Sequence, residues 1–177
     1  MLNLVNEIAL GSDTLKEKSN NLELWRGSLF ESFKPMSPVA KGSRGERLAA
    51  EVLEKLGHTV LRKKNRKLAR LDGDKDHDIV VDGYRTEVKL SLTWGDTLDT
   101  FTWQQIRPFQ KYDRIIVIGM NPNEVKMWWA TKEDLEDNIF GKACYIQHGG
   151  KDGNQDLYWI RTAEDGIPSW LRNMEEW

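Results

Sequence analysis

The sequence predicts an α+β (mixed α/β) fold, a central mixed β-sheet of four to five strands flanked by helices. Three stretches carry that prediction. Residues 43–57 are apolar at helical spacing between Ser43 and Gly57. The run 77–91 is two alternating segments around Asp82-Gly83, a pair that favours a two-residue hairpin turn. Residues 113–120 hold Ile115-Ile116-Val117-Ile118, an apolar run suited to a strand buried on both faces.

The elements follow in order. Residues 1–40 read as a helical lead-in, with Ser12 or Asp13 as caps and Pro35 and Pro38 as stops. Ser43 opens the strong helix with Glu46 as its capping-box partner, and Gly57 closes it. Strands are expected at 58–62, 77–81 and 84–91, then a helix from Thr97 to Arg107 stopped by Pro108. Strands at 113–120 and 124–130 flank the turn Asn121-Pro122-Asn123, and Thr131 caps a short helix through Asn138. From Gly141 the chain reads as loop and strand. The whole is expected to be one domain, residues 1–177, with its core at 43–130 and an extension at 141–177.

Composition narrows the classes. The chain has 177 residues, enough for a proper core, and eight Trp and five Phe that need burial. Mean hydropathy is −0.63, which points to a soluble protein. The N-terminus lacks the pattern of a signal peptide, and no apolar run is long enough to span a bilayer. One cysteine, Cys144, excludes an internal disulfide and a cysteine-rich zinc site, which fits a cytoplasmic location. Cys144 and His77 receive no role, and His58 reads as a helix-exit residue. The net charge of −2 gives no global argument for nucleic acid. Its distribution is uneven, because residues 62–70 hold six cations and no acid and run straight into Asp72-Gly73-Asp74-Lys75-Asp76-His77-Asp78.

The hairpin carries the chemistry. A two-residue turn at Asp82-Gly83 sets Ile79 opposite Thr86, and the next pair is Asp78 opposite Glu87. Opposed residues share a sheet face with Cβ atoms roughly 4.5–5.5 Å apart, where two like charges repel unless a cation lies between them. Alternation puts Lys89 on that same face, whereas Thr86, Val88 and Leu90 point to the other. Two carboxylates and a lysine converging on one face suit Mg²⁺, which takes hard oxygen ligands and keeps several waters. A solvent-exposed hairpin with a cross-strand ion pair is the plainer reading of any single Glu-x-Lys. On the helix, at about 100° per residue, Glu46 falls within the apolar arc of Leu48, Ala49, Val52 and Leu53, so it either faces the core or simply closes the capping box.

Together, Glu46, Asp78 and Glu87-Val88-Lys89 resemble the PD-(D/E)XK nuclease superfamily, the restriction-endonuclease-like fold, over residues 43–130. His77 stands where the motif's name has Pro. The resemblance implies a Mg²⁺-dependent endodeoxyribonuclease, with Mn²⁺ as a substitute ion, that leaves 5′-phosphate and 3′-hydroxyl ends. It implies Asp78 and Glu87 as metal ligands, Lys89 positioning the attacking water, and Glu46 supporting the metal or its water. Double-stranded DNA is the implied substrate and a homodimer the implied assembly, of restriction type with a cognate methyltransferase in the same system. A junction resolvase or a repair or transposition nuclease would share the site, and a non-cleaving DNA-binding module is the remaining alternative. DNA contacts are expected from Lys41, Arg44, Lys63, Lys64 and Arg66, from Gln104, Gln105 and Arg107, and from Lys151 and Asn154 in the Gly-rich 148–154 loop.

Overall fold

The computed structural model describes Asn6 and residues 22–62, 77–93, 98–147, 157–162 and 166–177. A short helix α1 (Leu22–Trp25) and a 3-10 turn (Glu31–Phe33) lead into α2 (Pro38–Lys55). Strands β1 (Val60–Arg62), β2 (Ile79–Val81), β3 (Tyr84–Leu92), β4 (Thr102–Ile106), β5 (Arg114–Met120) and β6 (Val125–Thr131) follow, then α3 (Lys132–Asn138), a 3-10 turn (Ala143–Tyr145), β7 (Tyr158–Arg161), β8 (Arg172–Asn173) and a last 3-10 turn (Met174–Glu176). The main sheet has six strands in the order β1-β2-β3-β5-β6-β8, one more than the largest number expected, and β4 pairs with β7 in a separate ribbon. Among the described strands only β3 and β5 run parallel, from Thr86 beside Arg114 to Leu92 beside Met120. The fold is therefore α+β with a mixed sheet.

Helix α2 starts earlier than expected. Ser37 caps it, its Oγ accepting from the Ala40 N–H at 3.2 Å, and Pro38 is the first helical residue. Pro38 thus begins the helix rather than stopping a preceding one, since a proline at the first position gives up an N–H that has no partner there anyway. Glu46 is consequently in mid-helix, and the capping-box role falls away. The end agrees with expectation: Gly57 takes φ +95 just past the C-cap Leu56.

The two sheet faces bury different cores. Val88, Ile116, Ile118, Met120 and Trp129 face α2, with Leu48, Ala49, Val52, Leu53, Trp25 and Phe33 against them. The helix comes so close that a β-carbon on Gly45 would lie 2.9 Å from the Leu90 β-carbon. On the other face, Ile115, Val117 and Trp128 meet Phe101, Trp103 and Ile106 of the ribbon segment, with Leu135 of α3. Phe101 lies flat on Gly119, and the Trp103 indole N–H donates to the Ile118 carbonyl at 2.8 Å. Adjacent Trp128 and Trp129 thus serve opposite cores, as alternation requires. Trp129 is covered by Trp177, at 5.2 Å between ring centres. Arg114 stacks its guanidinium among Tyr84, Trp129 and Trp177, at 3.8, 4.8 and 4.7 Å.

Residues 102–106 form a strand, not the expected helix. Trp103 and Ile106 both turn inward, a spacing of three that imitates a helix turn and arises here from a bulge. Strands β1, β2, β3, β5 and β6 and helix α3, with its Thr131–Asp134 capping box, lie within a residue or two of expectation, and Ser12 and Asp13 of the expected lead-in lie outside the described residues. No helix among the described residues is long and apolar enough to cross a membrane.

Candidate active site

The hairpin forms as its turn residues dictate. Asp82 and Gly83 both take positive φ, 49 and 88, which matches the twist of paired strands. Ile79 faces Thr86, Val80 faces Arg85 and Val81 faces Tyr84. One step further the ladder changes character. The Asp78 N–H still donates to Thr86 O at 3.0 Å, but the Val88 N–H donates to Asp78 Oδ2 at 2.9 Å. The aspartate side chain replaces the next backbone acceptor, so its carboxylate is held against the backbone of β3 between Glu87 and Lys89.

Glu87 is 5% exposed, on the face that looks towards the ribbon. Lys89 Nζ donates to Glu87 Oε1 at 2.5 Å, with the lysine itself mostly buried. Burial pushes the Glu87 carboxyl up to about 7 and the Asp78 charge pushes the same way, while Lys89 and Arg107 pull it down. A carboxylate so far from water stays charged only with cations close by. Arg107, just past β4, is one of them.

Tyr112 completes this corner. It is 2% exposed, and its hydroxyl has no hydrogen-bond partner among the described residues. Burial foremost, then the charge of Glu87, holds its pKa above the ordinary phenol value. Lys132 lies over its ring at 5.1 Å and donates to the Gln110 carbonyl at 2.6 Å. Arg85 clasps Asp113 through two guanidinium bonds of 3.1 and 2.7 Å, tying the starts of β3 and β5 together. No motif marks Tyr112; only the parallel pairing of β3 with β5 brings it near Glu87.

Lys89 is paired with Glu87, and Asp78 lies within charge range of Glu87; Glu46 is half-buried in the middle of α2. Helix α2 packs on the Val88–Leu90 face, opposite to Glu87 and Lys89, and no three acids, histidines or cysteines among the described residues are grouped to hold a metal. Lys41 and Arg44 lie on the first half of α2, with Lys41 half-buried and Arg44 over the Phe33 ring at 5.6 Å. Desolvation, and then Lys34, lowers the Lys41 pKa. Gln104 and Gln105 are exposed on β4. Lys63, Lys64, Arg66, Lys151 and Asn154 lie outside the described residues. Arg62, at the head of the basic run, is tied to Glu54 and Glu51 at 2.5 and 3.6 Å.

No family model matches the chain, and no curated protein does. Solved structures do. One is a bacterial homing endonuclease, I-Ssp6803I, at 15% identity and a TM-score of 0.43, covering 76% of this chain and 86% of that one. A likeness of that size carries no functional weight, so function has to be argued from the residues.

Proposed function

We propose that the protein is a Mg²⁺-dependent endonuclease that hydrolyses phosphodiester bonds in double-stranded DNA. The observation that carries this reading is the buried Glu87–Lys89 pair with Asp78 pinned beside it by the Val88 N–H. A buried ion pair is weak evidence for stability, since desolvation cancels much of its attraction. A second carboxylate placed against it adds repulsion that a bound cation would relieve.

The donor set fits Mg²⁺. Asp78 and Glu87 supply hard oxygens, and this ion commonly takes one or two carboxylates and fills its other positions with water and substrate phosphate. Asp78 Oδ2 accepts from the Val88 N–H, which leaves Oδ1 as the oxygen that would bind the ion. Bound there, the ion would neutralise phosphate charge and make a nearby water more acidic. Lys89 steadies the water that attacks phosphorus, and its ammonium offsets the charge that develops. The bond to the 3′ oxygen breaks, the water's hydroxyl stays on phosphorus, and its proton goes to the departing oxygen. Products are a 5′-phosphate and a 3′-hydroxyl. Glu46, half-buried in the middle of α2, is the acid that would support the ion's water shell in this reading, and Glu46→Gln is expected to slow cutting.

A restriction-type substrate and a homodimer go with this reading, because cutting two antiparallel strands favours two-fold symmetry. The test is incubation of plasmid with Mg²⁺, comparing wild type with Lys89→Ala. Wild type is expected to give discrete fragments, and the variant to lose at least about two orders of magnitude in rate, the scale of removing one group that stabilises developing charge. Cleavage of branched DNA alone would make it a resolvase. Equal cutting by both proteins, or no cutting of any DNA, overturns the proposal.

A further inference from the structure

We infer that the β4–β7 ribbon reads base sequence in the DNA major groove, and that its bulge exists to present the Gln104 and Gln105 amides. This rests on the nuclease reading and extends it to sequence recognition.

In a regular strand, alternate side chains point to opposite faces. Here Trp103 and Ile106 are both buried, and the two residues between them are both exposed. The pairing records the reason: Trp103 faces Ile160 and Ile106 faces Tyr158, so Gln104 and Gln105 together oppose Trp159. Gln105 takes φ +58 to achieve this, the left-handed conformation that a β-carbon disfavours. Glycine would adopt it without strain. The sequence instead keeps a long amide there.

The bulge is held firmly. Gln147 Oε1 accepts the Gln105 N–H at 2.8 Å, and the Thr102 N–H donates to Ser91 Oγ at 3.0 Å. Ser91 is two residues beyond Lys89 on β3, on the same face. One short strand therefore anchors beside the lysine at its start, turns two amides outward at its middle, and ends at Arg107 within charge range of Glu87. Such a strand fixes the distance between the bases read and the phosphate cut. Its partner strand contributes Arg161, stacked over the Trp159 ring at 3.9 Å.

The shape and chemistry fit one ligand. A two-stranded antiparallel ribbon enters the major groove, and a glutamine amide pairs in two places with the N6 and N7 of adenine. An uncharged amide releases no counterion from the backbone, so its expected contribution is to discrimination between bases.

The experiment is selection of bound sites from a randomised duplex pool, with Ca²⁺ replacing Mg²⁺, using wild type, Gln104→Ala and Gln105→Gly. Gln105→Gly removes the amide and relieves the strained φ, so its melting temperature should hold or rise, which separates recognition from misfolding. Wild type is expected to prefer adenine at one or two positions. Each variant should lose roughly 10- to 100-fold of one preference, the scale of one two-point contact, while affinity for unrelated duplex stays within a few-fold. If wild type selects a sequence and both variants select it equally, the ribbon inference fails and the nuclease reading stands. A wild type that selects no sequence but cuts plasmid has the same meaning. A wild type that neither binds nor cuts DNA overturns both.

Discussion

Glu87 is where the sequence's chemistry meets a cost. Its carboxyl titrates at about 7, above an ordinary glutamate, because burial and Asp78 outweigh Lys89 and Arg107. An acid with a raised folded pKa binds its proton more tightly when folded, so its share of stability is greatest below the unfolded pKa and falls as pH rises towards 7. Divalent-ion binding runs the other way, since the ion competes with that proton. The stabilisation by 10 mM Mn²⁺, read as a rise in melting temperature, is therefore expected to be clearly larger at pH 8 than at pH 6 (a condition of about ten millimolar exceeds typical weak-site constants). Asp78→Asn should nearly abolish it at both pH values. An equal rise at both would separate Glu87 from the ion. The turn gave the register as far as Ile79 opposite Thr86, but not the departure beyond it, where the Asp78 N–H goes to Thr86 O and its carboxylate to the Val88 N–H. Tyr112 was not legible, because its closeness to Glu87 arises from parallel pairing across more than twenty residues, which no local pattern encodes.

At the scale of elements, helix α2 shows two physical effects in competition. Gly45 sits in its interior, and replacing a helical glycine by alanine usually gains about 1 kcal/mol. Here the added methyl would meet the Leu90 β-carbon at 2.9 Å, an atom that no rotamer can move aside. Overpacking of this kind costs about 1–3 kcal/mol. Gly45→Ala is thus expected to destabilise the protein by about 1–2 kcal/mol in urea unfolding, and a stabilised variant would show that helix and sheet separate easily. The helix start was misread because Ser43 and Glu46 match a capping box as well as Ser37-Pro38 matches a start. Strand β4 was misread for a related reason: two inward residues three apart look helical whenever a bulge supplies the extra residue. The hairpin, β5, β6 and α3 were legible because turn chemistry, apolar runs and caps agree there.

Across the whole molecule, the mixed sheet separates two tasks. One face, under α2, is apolar packing; the other carries Glu87 and Lys89 beneath the ribbon. The number of strands and the ribbon were hidden in the sequence, because β7 and β8 are short and depend on partners far along the chain. The proposed two-strand cut predicts a dimer, so light scattering at micromolar protein should report twice the 20.5 kDa chain mass. A single-chain mass with two-strand cleavage would require sequential nicking instead.

Trp177 meets Trp129 edge-on, carries the Arg114 guanidinium over its ring, lies edge-on to His58, and helps hold the Asp82 carboxyl of the hairpin turn below its ordinary value. It fastens the β1–β2 edge to strand β6 from the far end of the chain. A clasp of such long sequence separation closes late, after the intervening strands have paired. Loosening it should hasten unfolding far more than it slows refolding. The indole is also a natural optical probe: its emission should shift when that edge opens, before the strands beneath it part.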